Sequence, residues 1–207
     1  MKKLLVIVSV CLLSSSMLNA QRVYKPNGGK KTTPSSSTTS STSVSTPTSV
    51  ETTVTIPKKE YLVRVAGTNA YWDIPGHPDR NSGSNAVQMW GFDNGADRKV
   101  MFIPAGDGFY YIKFSHNGYY LDVKGGNLNK DAHLQIWQPN RTDAQKFKVL
   151  HKGNGKFKLV TVNGLAVDCE GGGWKNGVKL QLWDDHNGQC QTFEIVEAGT
   201  KSKFYGN

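Results

Sequence analysis

Three kinds of side chain recur together along this chain: a carboxylate, a primary amide and an indole. Asp122 is followed by Gln135 and Trp137, Asp168 by Gln181 and Trp183, and Asp73 by Gln88 and Trp90. The Asp-to-Gln spacing is 13 residues in the second and third sets and 15 in the first. A carboxylate accepts two hydroxyl hydrogens at once, and an amide both donates and accepts. An indole face covers an apolar C–H patch with a large rigid surface. Brought to one shallow surface, these groups match a polyhydroxylated ring.

Other chemistries find less support. His77, His116, His133, His151 and His186 show no metal-ligand spacing, and no zinc or nucleophile motif is present. Asp184-Asp185 reads as a solvated turn rather than an acid pair. With no nucleophile and no general acid/base pair, the chain reads as a non-enzyme without metal or cofactor.

The elements that must position these residues repeat. Val87-Gln88-Met89-Trp90, Leu134-Gln135-Ile136-Trp137 and Leu180-Gln181-Leu182-Trp183 lie 47 and 46 residues apart. Such a period marks a repeated supersecondary unit. Eight to ten residues past each Trp stand Arg98-Lys99-Val100, Gln145-Lys146-Phe147 and Gln191-Thr192-Phe193. Helical periodicity is absent from 60–198. Short alternating runs are broken by Gly, Asn and Asp, including Asn117-Gly118 and Asn163-Gly164, which favour tight hairpin turns. Four strands per unit are predicted, near Tyr61–Val65, Tyr71–Ile74, Val87–Trp90 and Lys99–Ile103 in the first. Three units are too few for a propeller and close more naturally into a pseudo-threefold barrel with hairpin caps. The expected fold class is all-β, a β-trefoil, with repeats at about 60–108, 109–155 and 156–198.

Alternation along a strand assigns faces. Val87 and Met89, Leu134 and Ile136, and Leu180 and Leu182 point to the core, so each Gln and Trp points outward. Trp72 and Ile74, Leu121 and Val123, and Val167 and Cys169 frame outward Asp73, Asp122 and Asp168. Gln145, Gln191, Phe147 and Phe193 point inward. A buried Gln needs backbone partners, a role for which Arg98 is a poor substitute.

From about Glu60 to Glu197 the chain resembles ricin B-type (R-type) lectin domains. The residues that carry the likeness are Tyr119-Tyr120-Leu121-Asp122-Val123, Gln135-Ile136-Trp137 and Gln145-Lys146-Phe147, with Val167-Asp168, Gln181-Leu182-Trp183 and Gln191-Thr192-Phe193. The resemblance implies a carbohydrate-binding β-trefoil. It also implies a sugar-contacting Asn just before the second Gln of each unit, where this chain has Asp97, Ala144 and Cys190. Asn140 and Asn187 stand nearby in the loops as substitutes. The second unit ranks first as a site, then the third, then the first with its longer loop.

Two readings stand for Cys169 and Cys190: a disulfide closing a loop of about 22 residues, or, as favoured, two thiols with Cys169 a small buried hydrophobe at the position of Val123. If bridged, Cys190 would crowd the third site.

The ends differ from the repeats. Residues 1–20 read as a signal peptide: Lys2-Lys3, an apolar run from Leu4 to Leu13 too short to span a bilayer, and Ala20 before the cut. From Thr32 to Pro57, 18 of 26 residues are Ser or Thr, so 21–58 reads as a disordered tether spanning roughly 35 Å. A tail occupies 199–207. The formal charge is +9, yet 60–198 carries 15 basic and 15 acidic residues. The excess sits in the ends, which argues against nucleic acid as partner. The sequence therefore predicts a secreted, monomeric module from a bacterial-type source. Its expected partner is a glycan or polysaccharide, without membrane insertion. The alternative is a trefoil with degenerate sites that binds protein or serves structure.

Overall fold

A computed structural model describes residues 52–76, 86–93 and 95–199. The expected signal peptide, most of the tether, His77 and all but the start of the tail lie outside the described residues. The described strands are β1 (Thr52–Thr53), β2 (Tyr61–Val65), β3 (Ala70–Asp73), β4 (Gln88–Gly91), β5 (Val100–Gly106), β6 (Phe109–Phe114), β7 (Tyr120–Val123), β8 (Leu134–Trp137), β9 (Phe147–His151), β10 (Lys156–Val160), β11 (Ala166–Cys169), β12 (Leu180–Trp183) and β13 (Phe193–Glu197). Among the described residues there is no α-helix; short 3-10 turns stand before β5, β9 and β13 and after β7 and β11. No described helix is long and apolar enough to cross a membrane.

Six strands close a ring. β2 pairs β5, β5 pairs β6, β6 pairs β9, β9 pairs β10, β10 pairs β13, and β13 returns to β2, all antiparallel. Closure removes the unpaired edges that an open sheet exposes. The other three pairs, β3–β4, β7–β8 and β11–β12, are hairpins, each joined to the ring through its first strand. Bridges Ala86↔Gln135, Gln88↔Lys179 and His133↔Gln181 tie the hairpins into a triangle. A six-stranded barrel under three hairpins is the β-trefoil that the period predicted.

The inward faces are as alternation requires. Val87, Met89, Leu134, Ile136, Leu180 and Leu182 are fully buried, as are Phe147, Phe193 and Val100, which takes the place of Phe in the first unit. Trp72 fills the position of Leu121 and Val167 and meets Phe193 edge-on, ring centroids 5.5 Å apart. Burying such side chains contributes roughly 1.5–3 kcal/mol each.

Two local expectations need correction. Asn117-Gly118 and Asn163-Gly164 do not form two-residue hairpin turns. Only the glycines take positive φ, 78° and 88°. The loops are longer: Gly118 N–H donates to Phe114 O, and the Asn117 side chain accepts from Tyr119 N–H. The packed domain also begins earlier than residue 59. β1 pairs β9, and Tyr110 Oη donates to Val54 O at 2.9 Å while accepting from Ile56 N–H at 3.1 Å. Ile56 is buried against the core. Val54 and Ile56 are thus apolar anchors inside what composition alone marks as tether.

Candidate functional site

The hairpin register explains the Asp-to-Gln spacing. Asp73 faces Gln88, Asp122 faces Gln135 and Asp168 faces Gln181 directly across each pair, with the Trp two residues along on the same face. Cross-strand partners of this kind hold their Cβ atoms about 5 Å apart, so the amide reaches the carboxylate. Gln88 Nε2 donates to Asp73 Oδ2 at 2.7 Å, Gln135 Nε2 to Asp122 Oδ1 at 2.9 Å, and Gln181 Nε2 to Asp168 Oδ1 at 3.4 Å.

The indoles lie solvent-side, with Trp137 42% and Trp90 39% exposed. The carboxylates do not: Asp73, Asp122 and Asp168 are 5%, 3% and 2% exposed. They point away from the core, yet the loop leading to the last strand of each unit covers them. Asp, Gln and Trp therefore form a graded site, with the carboxylate at the floor and the indole at the rim.

In the second unit the covering residue is Gln145. Its Nε2 donates to Asp122 Oδ2 at 3.0 Å and to Gln138 O at 2.9 Å, and its Oε1 accepts from Asn140 and Arg141 N–H. The expected backbone satisfaction of a buried Gln is met. Burial pushes the Asp122 carboxyl above its ordinary range, against the two amide bonds that pull it down. An open cleft of about 760 Å³ lies over it, lined by Asp122, Gln135, Trp137, Asn140, Lys124, Gly125, Gly126, Thr142, Asp143 and Ala144. Asn140 lines this cleft, and its Oδ1 accepts from Thr142 N–H and Oγ–H. Lys124-Gly125-Gly126, Thr142 and Asp143 were not singled out in the sequence. The available signal was the Asp-x-x-Gly-Gly pattern of the second and third units, which places Gly125-Gly126 after Asp122 and Gly171-Gly172 after Asp168. Both Gly125 and Gly126 need positive φ, 74° and 72°, in the turn that forms one wall.

The first unit departs at Arg98. Far from a poor substitute, this buried guanidinium donates to Gly91 O at 2.6 Å, so it takes over the backbone role of Gln145. It also adds a charge that Gln lacks. Nη2 lies 3.0 Å from Asp73 Oδ1 and 2.6 Å from Asp93 Oδ2.

The third unit departs twice. Lys130 Nζ sits 4.1 Å from the centroid of the Trp183 ring and 2.5 Å from Asp184, so a cation covers one indole face. Gln191 Nε2 donates to Asp184 O. Asp168 instead meets Cys190 Sγ at 3.3 Å and His186 Nε2 at 3.3 Å. No disulfide joins Cys169 and Cys190, which are both free and buried. Cys169 belongs to the core, as its register with Val123 suggested. Cys190 directs its thiol to the carboxylate. Burial, then the hydrogen bond to Asp168, pushes the Cys190 thiol up to about 11. Asn187, expected as a substitute for the missing amide, is turned toward Lys158. It has positive φ (57°), and its Oδ1 lies 3.4 Å from Lys158 Nζ. Asp184-Asp185 is not simply a solvated turn either, since Asp185 forms an ion pair with buried Lys158.

The ring, the hairpin triangle and the repeated Asp–Gln–Trp register define a lectin-type β-trefoil. Two overlapping stretches, 49–137 and 86–183, match the family described as ricin-type beta-trefoil lectin domain-like, and the chain belongs to that family. Among solved structures, a designed 3-fold symmetric protein, ThreeFoil, superposes with TM-score 0.62 at 21% identity, covering 67% of this chain and 98% of that one. The Macrolepiota procera ricin B-like lectin in complex with lactose gives 0.58 at 17%, covering 69% and 98%. An exo-beta-1,3-galactanase from Clostridium thermocellum gives 0.62 at 20%, covering 68% of this chain but only 30% of the enzyme. At these identities the likeness establishes the fold. No curated protein matches the chain.

Proposed function

We propose that this protein is a secreted, monomeric, non-catalytic carbohydrate-binding module that takes a glycan or polysaccharide in the second-unit cleft. One observation carries the reading: an open cleft in which a hydrogen-bonded carboxylate forms the floor and a half-exposed indole the rim. In this reading Asp122 accepts sugar hydroxyls, Gln135 orients the carboxylate, Trp137 stacks on the C–H face, and Asn140 borders the ring. Membership of a lectin-like family supports it. The Ser/Thr-rich stretch then serves as a tether that holds the module away from a surface.

The alternative, a trefoil with degenerate sites that binds protein, draws on the first and third units. Arg98 neutralises Asp73, and His186 and Cys190 crowd Asp168. Glycan-array binding by the full chain, followed by Trp fluorescence titration, separates the two. Sugar binding lost in both Trp137→Ala and Asp122→Ala supports the lectin reading. Silence across a broad array overturns it in favour of the alternative.

A further inference from the structure

The third unit holds a cluster that sugar recognition does not need. Asp168 and Cys190 are buried, while the His186 side chain is 46% exposed. Their ligand atoms form a triangle: Asp168 Oδ2 to His186 Nε2 is 3.3 Å, Asp168 Oδ2 to Cys190 Sγ is 3.3 Å, and Cys190 Sγ to His186 Nε2 is 3.9 Å. Around a tetrahedral zinc ion, bonds of about 2.0 Å from O and N and about 2.3 Å from S space such atoms roughly 3.3, 3.5 and 3.6 Å apart. The three edges thus already lie within about 0.3 Å of a coordination face.

Asp168 is also the site carboxylate with the weakest amide support. Its single Gln bond is 3.4 Å, against 2.9 and 3.0 Å from two amides at Asp122. A buried carboxylate placed in this way favours a cationic partner.

A catalytic relay does not fit the same residues. A Cys–His–Asp triad uses one ring nitrogen for the thiol and the other for the carboxylate. Here Nε2 faces both, and Nδ1 accepts Gly188 N–H at 3.0 Å.

We propose that Asp168, His186 and Cys190 bind one divalent ion of the zinc class, with a fourth position open to solvent beside His186. The mixed O, N and S donor set selects zinc or cobalt over magnesium or calcium. The protons balance. The Cys190 thiol proton leaves to solvent as the sulfur–metal bond forms. The ring proton, held on Nε2 while Nδ1 accepts from Gly188 N–H, moves to Nδ1, which ends that bond and leaves the partly exposed Gly188 N–H to water. A bound ion would close Asp168 to sugar, and the proposal does not rest on the lectin reading.

Cobalt(II) titration of the full chain, followed by absorption spectroscopy, tests it. The expected result is saturation at one ion per chain with a thiolate-to-cobalt charge-transfer band that zinc displaces. Cys190→Ser should abolish the band. His186→Gln, at a half-exposed ring, should weaken binding at least tenfold with near-ultraviolet circular dichroism unchanged. Absence of the band at saturating cobalt, or its survival at wild-type affinity in either variant, overturns the proposal.

Discussion

Arg98 and Asp73 form a buried ion pair, Nη2 to Oδ1 3.0 Å, at the place where Gln145 donates to Asp122 in the next unit. One substitution thus changes a site carboxylate from an amide-supported acceptor to half of a salt bridge. Arg98→Gln should return the first unit to the arrangement of the second. Because Gln145 and Gln191 show that an amide fits this turn, the expected loss of stability is about 1–2 kcal/mol, mainly from the lost Asp93 contact. Arg98→Met leaves Asp73 buried without its cation and should cost more, about 3 kcal/mol or above. Urea denaturation measures both. On the lectin reading, Arg98→Gln should also raise the number of sugar sites seen by calorimetry; equal stability of the two variants would refute the comparison.

Trp137 and Trp183 occupy equivalent positions but differ in what touches them. Trp137 borders the cleft, whereas Lys130 covers one face of Trp183. On the lectin reading, Trp137→Ala should therefore lower sugar affinity by roughly tenfold or more, the loss of one aromatic platform, while Trp183→Ala changes it little. A reversed order in fluorescence or calorimetric titration would move the site to the third unit. Ala144 lines the same cleft, at the position where the resemblance implies Asn. Ala144→Asn should add one hydrogen bond to a sugar and tighten binding by about 1 kcal/mol.

Most of the architecture was legible because it follows from local rules. The 46- and 47-residue period set the unit, and alternation around Gln135 and Asp122 set the faces. What was not legible depends on residues from different elements meeting. The depth of Asp122 is set by Gln145 in a separate turn. Arg98 works because Asp93 and the Gly91 carbonyl face it. Lys130 reaches Trp183 from the neighbouring unit. His186 joins Asp168 and Cys190 only through the bend at Gly188, so histidine spacing carried no trace of it. Tyr110 anchors Val54 and Ile56 across more than 50 residues, which composition could not register.

On the lectin reading, sugar binding at Asp122 should depend on pH in a direction that its surroundings fix. Burial raises its folded-state pKa above the ordinary carboxylate value of about 3.9. The protonated acid then persists to higher pH than in an unfolded chain, and it can no longer accept two hydroxyls. Affinity should fall as pH is lowered through that raised value, while Asp122's own contribution to fold stability moves the opposite way and improves on protonation. Carboxyl-carbon NMR titration of Asp122 reads the pKa directly. A value at or below 3.9, or affinity flat through the acid range, would contradict the assignment.

Asp185 behaves with the opposite sign. Burial pulls its carboxyl up, but the hydrogen bond from Lys158, the Asn187 N–H and the Lys158 charge outweigh it and hold the group below the ordinary range. Lys158 is almost fully buried, and its ion pair with Asp185 helps make an ammonium tolerable there. A depressed folded-state pKa gives stability that is present above about pH 4 and is lost as pH falls through the lower folded value. Asp185→Asn should therefore destabilise the domain by about 3 kcal/mol at pH 7, the lower end for a broken buried pair because Asn187 Oδ1 also approaches the ammonium. The gap between variant and wild type should narrow below pH 4. Thermal denaturation at pH 7 and pH 3 measures the two gaps, and a constant difference would show that the pair contributes through packing rather than charge.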